Sequence, residues 1–196
     1  LPERALFWPA RRTLVIADPH FGKAAAFRAS GVPVPEATTA ATLARLDAAL
    51  QRCAADRVIV LGDFLHARAG RAPAVLQSVG SWRAGKPSID IVLVRGNHDD
   101  RAGDPPAGWG VECVEEPVLD GPFAWRHEPA ASDAAGYVVA GHLHPAVALS
   151  GRGGLSATLP CFYFGREYAL LPAFGDFTGT AVIRPRDGTV LAFELA

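Results

Sequence analysis

The sequence has no methionine, three cysteines and no apolar run near the roughly 18 residues needed to span a membrane. Cys53, Cys113 and Cys161 are odd in number and far apart, which excludes a disulfide framework and fits a reducing, cytoplasmic setting. A cysteine zinc knuckle needs closer pairs, so each reads as a buried apolar residue. The missing methionine implies that Leu1 is not the initiator, and Glu3, Arg4, Arg11 and Arg12 break any signal-peptide pattern. Neither sign of charge dominates: 19 Lys and Arg stand against 20 Asp and Glu, a formal charge of -1. A polybasic nucleic-acid binder is excluded, but not an enzyme whose bound cations supply local positive charge. Gly22-Lys23 and Gly85-Lys86 lack P-loop spacing, and no G-x-S-x-G occurs, which sets aside P-loop ATP hydrolysis and serine hydrolysis. There is also no repeat or dividing linker, so the 196 residues, 49% hydrophobic, are expected to form a single domain over 1–196.

What is present is a series of short apolar runs bounded by Gly, Pro or charge. Thr13–Ala17, Val58–Leu61, Ile89–Val94, Phe123–Trp125 and Tyr137–Ala140 read as buried strands. Between the first two, Leu43, Leu46, Leu50 and Cys53 recur at helical spacing over Thr38–Cys53, and a second helix is expected over Ala74–Arg83. Alternating strand and helix predicts an α/β fold with a largely parallel sheet. From Val111 the helices stop. Turn signals at Asp120-Gly121-Pro122 and Asp187-Gly188, with strands over Thr180–Arg184 and Thr189–Glu194, predict a second, more antiparallel sheet.

The six histidines carry the chemistry. Val15-Ile16-Ala17 leads into Asp18-Pro19-His20, and Val58 to Leu61 into Gly62-Asp63. Val92-Leu93-Val94 precedes Arg95-Gly96-Asn97-His98-Asp99, Phe123-Ala124-Trp125 precedes His127, and Tyr137 to Ala140 precedes Gly141-His142-Leu143-His144. Five strands thus end on metal-ligating residue types, and strand carboxyl ends are where an α/β sheet gathers its site. In extended backbone, Asp18-x-His20 and His142-x-His144 would each turn two side chains to one side. Carboxylate, imidazole and amide donors together suit Mn, Fe or Zn.

These motifs, D-x-H, G-D, G-N-H-D, a lone H and G-H-x-H, resemble the calcineurin-like metallophosphoesterases in order from Asp18 to His144. The stretches 17–23 and 61–66, with Leu159-Pro160-Cys161-Phe162 and 171–179, are similar to the bacterial DNA ligase-associated phosphoesterase family called PdeM. The resemblance implies an αββα sandwich of two mixed sheets flanked by helices. It implies two divalent ions, Mn²⁺ first with Fe or Zn as alternatives. Asp18, His20, Asp63 and His144 would hold one ion, and Asp63, Asn97, His127 and His142 the other. It implies a phosphodiesterase with DNA endonuclease activity, associated in DNA repair with an ATP-dependent ligase and a helicase. His127 departs from the superfamily pattern, being followed by Glu128-Pro129 where Gly or His is common.

In such a site two ions about 3.5 to 4 Å apart would hold a bridging water, lower its pKa and clamp a phosphoryl oxygen, so that hydroxide would attack phosphorus in line. His98, beside Asn97, is the candidate for protonating the leaving oxygen, with Asp99 orienting its imidazole. Lys23 and Arg68 follow ligand motifs and are candidate phosphate contacts, as more weakly are Arg28, Arg71, Arg95 and Arg101. His66 divides between a structural role and substrate contact. Phe162, Phe164, Phe174 and Phe177 lie far from the ligand motifs in sequence and read as core or interface residues rather than base-stacking ones. The rival readings are a phosphomonoesterase or nucleotide pyrophosphohydrolase on the same site, and a non-catalytic protein-binding scaffold.

Overall fold

A computed structural model describes residues 1–131, 136–151, 154–185 and 188–193. The first sheet runs in the order β1 (Leu6–Trp8), β2 (Thr13–Ala17), β3 (Arg57–Leu61), β4 (Asp90–Val94), β5 (Val111–Val114). Strands β2 to β5 are parallel and β1 caps the edge antiparallel. Every residue of β2 is buried because the sheet is covered on both faces. Leu14 and Ile16, with Val58, Val60, Ile91 and Leu93, point to the helical side. Val15 and Ala17, with Ile59, Leu61 and Val94, point the other way into a second sheet.

The helices are α1 (Lys23–Ala29), α2 (Thr38–Cys53), α3 (Pro73–Ala84) and α4 (Asp99–Ala102). Helix α2 has the predicted ends and buries Leu43, Leu46, Ala49 and Leu50. It stops where Ala54 turns left-handed and donates its N–H to the Leu50 carbonyl. Pro73 starts α3 one residue ahead of expectation, where its missing N–H costs nothing. Helix α1 was not expected: seven residues with a run of alanines present no apolar stripe to read.

The second sheet has the order β14-β11-β12-β8-β7-β6. It is built from β6 (Val118–Asp120), β7 (Phe123–Trp125), β8 (Tyr137–Ala140), β11 (Phe162–Phe164), β12 (Tyr168–Leu170) and β14 (Val190–Ala192). It is mixed: β7, β8 and β12 are parallel and the other pairs antiparallel. Trp125 fills the space between the two sheets, with Val139, Ala169 and Leu171. The predicted α/β class with mixed sheets is what forms, with three local differences. Val111–Val114 joins the first sheet as a parallel strand instead of opening the second. A small third sheet holds β9 (Pro145–Ser150), β10 (Ser156–Pro160) and β13 (Ala181–Val182). The chain leaves it at Cys161, whose N–H is held by the Pro145 carbonyl at 2.9 Å, and enters β11 one residue later. Finally, β13 and β14 are shorter than the predicted strands; Asp187 and Glu194, in the predicted turn and strand, lie outside the described residues.

Cys161 is buried, whereas Cys53 and Cys113 are half-buried rather than core residues, and all three are free thiols. No helix among the described residues is long and apolar enough to cross a membrane. Ile59 has no exposed surface and sits between the sheets. Ile59→Ala is expected to cost about 2 to 5 kcal/mol in urea unfolding, since neighbours in two packed sheets cannot collapse onto the void. A loss below about 1 kcal/mol would contradict a close-packed interface between the sheets.

Candidate metal centre

Five of the candidate ligands hold a backbone conformation that no strand pattern predicts. Asp18, His20, Asp63, His142 and His144 have φ of 52°, 46°, 54°, 66° and 47°. Left-handed non-glycine residues cost of order 1 to 3 kcal/mol each and persist where surrounding structure imposes them. The D-x-H and H-x-H pairs are therefore tight turns, which corrects the expectation of extended alternation. A strand running on would carry its side chains past the crevice. The turn at each strand end folds them back into it.

The neighbouring glycines show how closely the loops approach. A Cβ on Gly62 would lie 2.0 Å from His127 Nδ1, one on Gly96 2.5 Å from Asp63 Oδ1, and one on Gly141 2.6 Å from Asp18 Oδ2.

Asp18 and Asp63 are buried at the ends of the adjacent parallel strands β2 and β3. Asp18 Oδ2 accepts the His142 N–H at 2.9 Å, and Asp63 Oδ1 accepts the His98 N–H at 2.9 Å. Asp18 Oδ1 is buried with no hydrogen-bond partner, 3.6 Å from His127 Nδ1 and 3.7 Å from His144 Nε2. Asp63 lies between two sets of imidazoles: Oδ2 is 3.6 Å from His20 Nε2, and Oδ1 is 3.6 Å from His127 Nε2. Burial, with Asp18 adding to it, raises the pKa of Asp63, while His127 acts in the opposite direction.

Backbone carbonyls decide which imidazole nitrogen faces the crevice. His127 Nδ1 lies 3.2 Å from the Leu61 carbonyl and His144 Nδ1 3.0 Å from that of Gly179. A carbonyl can only accept, so the proton sits on Nδ1 and each Nε2 presents a lone pair. Around His127 Nε2 stand Asn97 Oδ1 at 2.9 Å and His142 Nδ1 at 3.0 Å. Burial, reinforced by Lys23 and the histidines around it, drives the His20 pKa far down and keeps that ring neutral. Lone pairs facing lone pairs, beside a buried carboxylate oxygen without a partner, are satisfied by cations. The donor set therefore fits divalent ions, with Asp18, His20 and His144 forming one ligating group and Asp18, Asp63 and His127 another.

All seven predicted ligands come together, and the departure after His127 does not displace it. Glu116 accepts the N–H groups of His127 and Glu128 at 2.6 and 3.1 Å, anchoring the turn. His98 stands at the rim with its side chain 30% exposed, Nε2 4.0 Å from Asp63 Oδ2 and Nδ1 2.7 Å from the His66 carbonyl. His66 belongs to the site: its ring stacks on His98 at 4.7 Å, and its Nδ1 is 3.3 Å from His20 Nδ1. Burial and Lys23 push the His66 pKa down to about 4. The Lys23 pKa is lowered by burial and drawn back up by Asp63 and Asp18.

Other sequence expectations fail here. Asp99 does not orient His98. Its carboxylate faces away from that ring and accepts the N–H groups of Asp63 at 2.8 Å, Phe64 at 3.0 Å, Leu65 at 3.4 Å and Gly96 at 2.9 Å, tying the loops after β3 and β4 together. Burial pushes its pKa up to about 6 against these bonds. Arg68 is exposed and its Nε donates to the Arg101 carbonyl at 3.2 Å. Arg28, Arg71 and Arg95 are engaged within the fold, by the Val34 carbonyl, by the carbonyls of Ala102 to Asp104, and by Asp104 with Glu115. The sequence reading missed the segment 174–179, which reaches the site through Gly179 and through the Phe174 and Gly175 N–H groups on the Ala17 and Asp18 carbonyls. A cavity of about 1060 Å³ between the sheet edges, lined by Leu1, Phe7, Phe162 and others, contains none of the candidate ligands.

Asp99→Ala would leave four buried N–H groups unmatched and is expected to destabilise the fold by roughly 3 kcal/mol or more in urea unfolding. Unchanged stability would contradict its role as a strut. Gly141→Ala is expected to weaken divalent-cation binding, read as a smaller rise in Tm than wild type on adding Mn²⁺, because its Cβ meets Asp18. A wild-type response to Mn²⁺ would show that the loop has room.

The sequence profile of the calcineurin-like phosphoesterase family matches residues 11–134. Among solved structures, the Pseudomonas putida nuclease MPE is similar at 46% identity and a TM-score of 0.85, over 97% of this chain and 88% of that one. Yfce, a phosphoesterase from E. coli, matches at 18% identity and a TM-score of 0.39 over 83% and 80% of the two chains, too low to bear on the fold. No curated protein matches. Since the profile spans most of the chain and the 46% identity extends over nearly all of it, the chain belongs to the calcineurin-like phosphoesterase family.

Proposed function

We propose that this phosphoester hydrolase is a Mn²⁺-dependent phosphodiesterase that cleaves DNA. The observation that carries the metal-dependent reading is the orphaned, buried Oδ1 of Asp18, 3.7 Å from the inward-facing Nε2 of His144. The DNA reading is supported by the 46% identity to a nuclease over nearly the whole chain. A repair setting beside an ATP-dependent ligase and a helicase, and a cytoplasmic location, belong to the same proposal and rest on the motif resemblance.

Asp18, His20, Asp63 and His144 would hold one ion, and Asp63, Asn97, His127 and His142 the other. Two such ions, once bound, lower the pKa of water and polarise a phosphoryl oxygen for in-line displacement. The chain's own residues supply the rest. His98, with Nδ1–H held by the His66 carbonyl, carries a transferable proton at Nε2 when it is an imidazolium, at the rim where a leaving oxygen departs. Lys23, at the start of α1 three residues after His20, would offer positive charge to a non-bridging phosphate oxygen. His66 fixes the His98 ring by stacking and faces substrate from the same side. Arg68 is exposed, and although its Nε donates to the Arg101 carbonyl, the rest of its guanidinium would meet a strand running past the crevice.

With Mn²⁺ the protein is expected to hydrolyse bis-p-nitrophenyl phosphate well and p-nitrophenyl phosphate poorly, and to cut labelled DNA. The reverse ester preference would replace the diesterase by a monoesterase, and intact DNA beside good diester turnover would point to small diesters. Asp63→Asn should lower both bound Mn²⁺, counted by elemental analysis after dialysis, and turnover. His98→Ala should leave the metal count unchanged and reduce DNA cleavage by roughly 10²-fold or more. Full activity in His98→Ala would remove it from the mechanism.

A further inference from the structure

Phe177 is not a core residue. It is 46% exposed, whereas Phe174, three residues earlier, is fully buried. Its φ is +61°, a conformation that a bulky side chain adopts only under constraint. The constraint is visible on both sides. The Asp176 carboxylate accepts from Arg45 at 2.6 Å and its N–H donates to Thr42 Oγ1 at 3.3 Å. Beyond Phe177, Thr178 Oγ1 donates to the Gly175 carbonyl at 3.3 Å and the Gly179 carbonyl holds His144 Nδ1. An exposed aromatic ring is thus mounted two residues from a contact with a candidate ligand.

The ring is also continuous with the site. Phe27 meets it edge-on, with centroids 5.4 Å apart and planes at 85°. Phe27 in turn lies 6.3 Å from His66, which stacks on His98 at 4.7 Å and stands 5.1 Å from His20. A row of rings therefore runs from solvent to the metal centre. The chain's formal charge of -1 provides little general attraction for a polyanion, so apolar contact with the bases has a share of binding to supply.

We propose that Phe177 is a stacking platform for a nucleobase adjoining the phosphodiester at the metal centre, with Phe27 as the positioning residue behind it. The inference rests on the DNA-cleaving reading above and deepens it. Every base has a π-face, so such a platform favours nucleotides over bare phosphodiesters without reading sequence. Its exposure contradicts the expectation of a core role for Phe177, while Phe162, Phe164 and Phe174 do pack against the cores.

The test compares kcat/KM on two labelled single strands of equal length, oligothymidylate and a fully abasic tetrahydrofuran-phosphate strand, with Mn²⁺-loaded wild type, Phe177→Ala and Phe177→Trp. Wild type is expected to favour the base-bearing strand by about tenfold, on the scale of one stacked base. Phe177→Ala should lose most of that ratio and Phe177→Trp should keep it. A ratio unchanged in Phe177→Ala, or no preference in wild type, overturns the platform while leaving DNA cleavage standing. If wild type cuts neither single strand, the platform falls, and the DNA reading falls with it if labelled duplex DNA is also left intact.

Discussion

Two carboxylates buried side by side, Asp18 and Asp63 at the ends of neighbouring parallel strands, set the terms for everything around them. Like charges withdrawn from water repel each other and lose their hydration, and each needs compensation in place. Part of it comes from backbone: the N–H groups of His142 and His98 each donate to one carboxylate oxygen. Around the carboxylate oxygens also stand the Nε2 atoms of His20, His127 and His144, a donor set that divalent cations fit. The same demand explains the five left-handed residues and the glycines beside them. Loops carrying so many ligands into one small volume have no room for a Cβ at their closest approach.

Under the function proposed above, the site divides into a part that would bind metal and a part that would move protons. His127 and His144 have Nδ1 pinned by backbone carbonyls, which fixes Nε2 as the inward atom. His98 is pinned in the same way, by the His66 carbonyl, yet it stands at the rim beyond hydrogen-bond distance of Asp63. Asp99, which sits next to it in sequence, serves neither part directly. By gathering four N–H groups from the loops after β3 and β4, it holds Asp63 and Asn97 in mutual register.

Much of the fold and most of the site were legible in the sequence. Buried parallel strands are short apolar runs with little alternation, so Thr13–Ala17, Phe123–Trp125 and Tyr137–Ala140 could be bounded to the residue. The ligand types stood directly after them. Helix α1 was not legible, because its alanines carry no periodic signal. Nor was the partner of Asp99. A carboxylate beside an imidazole reads as its orienting group, whereas the N–H groups it actually meets belong mainly to a loop about 35 residues away.

The sequence alone determined the residue chemistry and the order of strands that deliver it, because hydrophobic burial acts locally along the chain and leaves its period in the pattern. Tertiary structure decided the rest. The left-handed conformations at Asp18 and His142, residue types that enter that region more readily than most, are tied together by a contact between residues 124 positions apart. The fate of the aromatics in 174–179 is of the same kind. Phe174 is drawn into the helix-side core, while Arg45, Thr42 and His144 hold the following turn so that Phe177 faces solvent beside the metal centre. Those contacts exist only once distant segments have packed, which is why six histidines in a list become a site only in the fold.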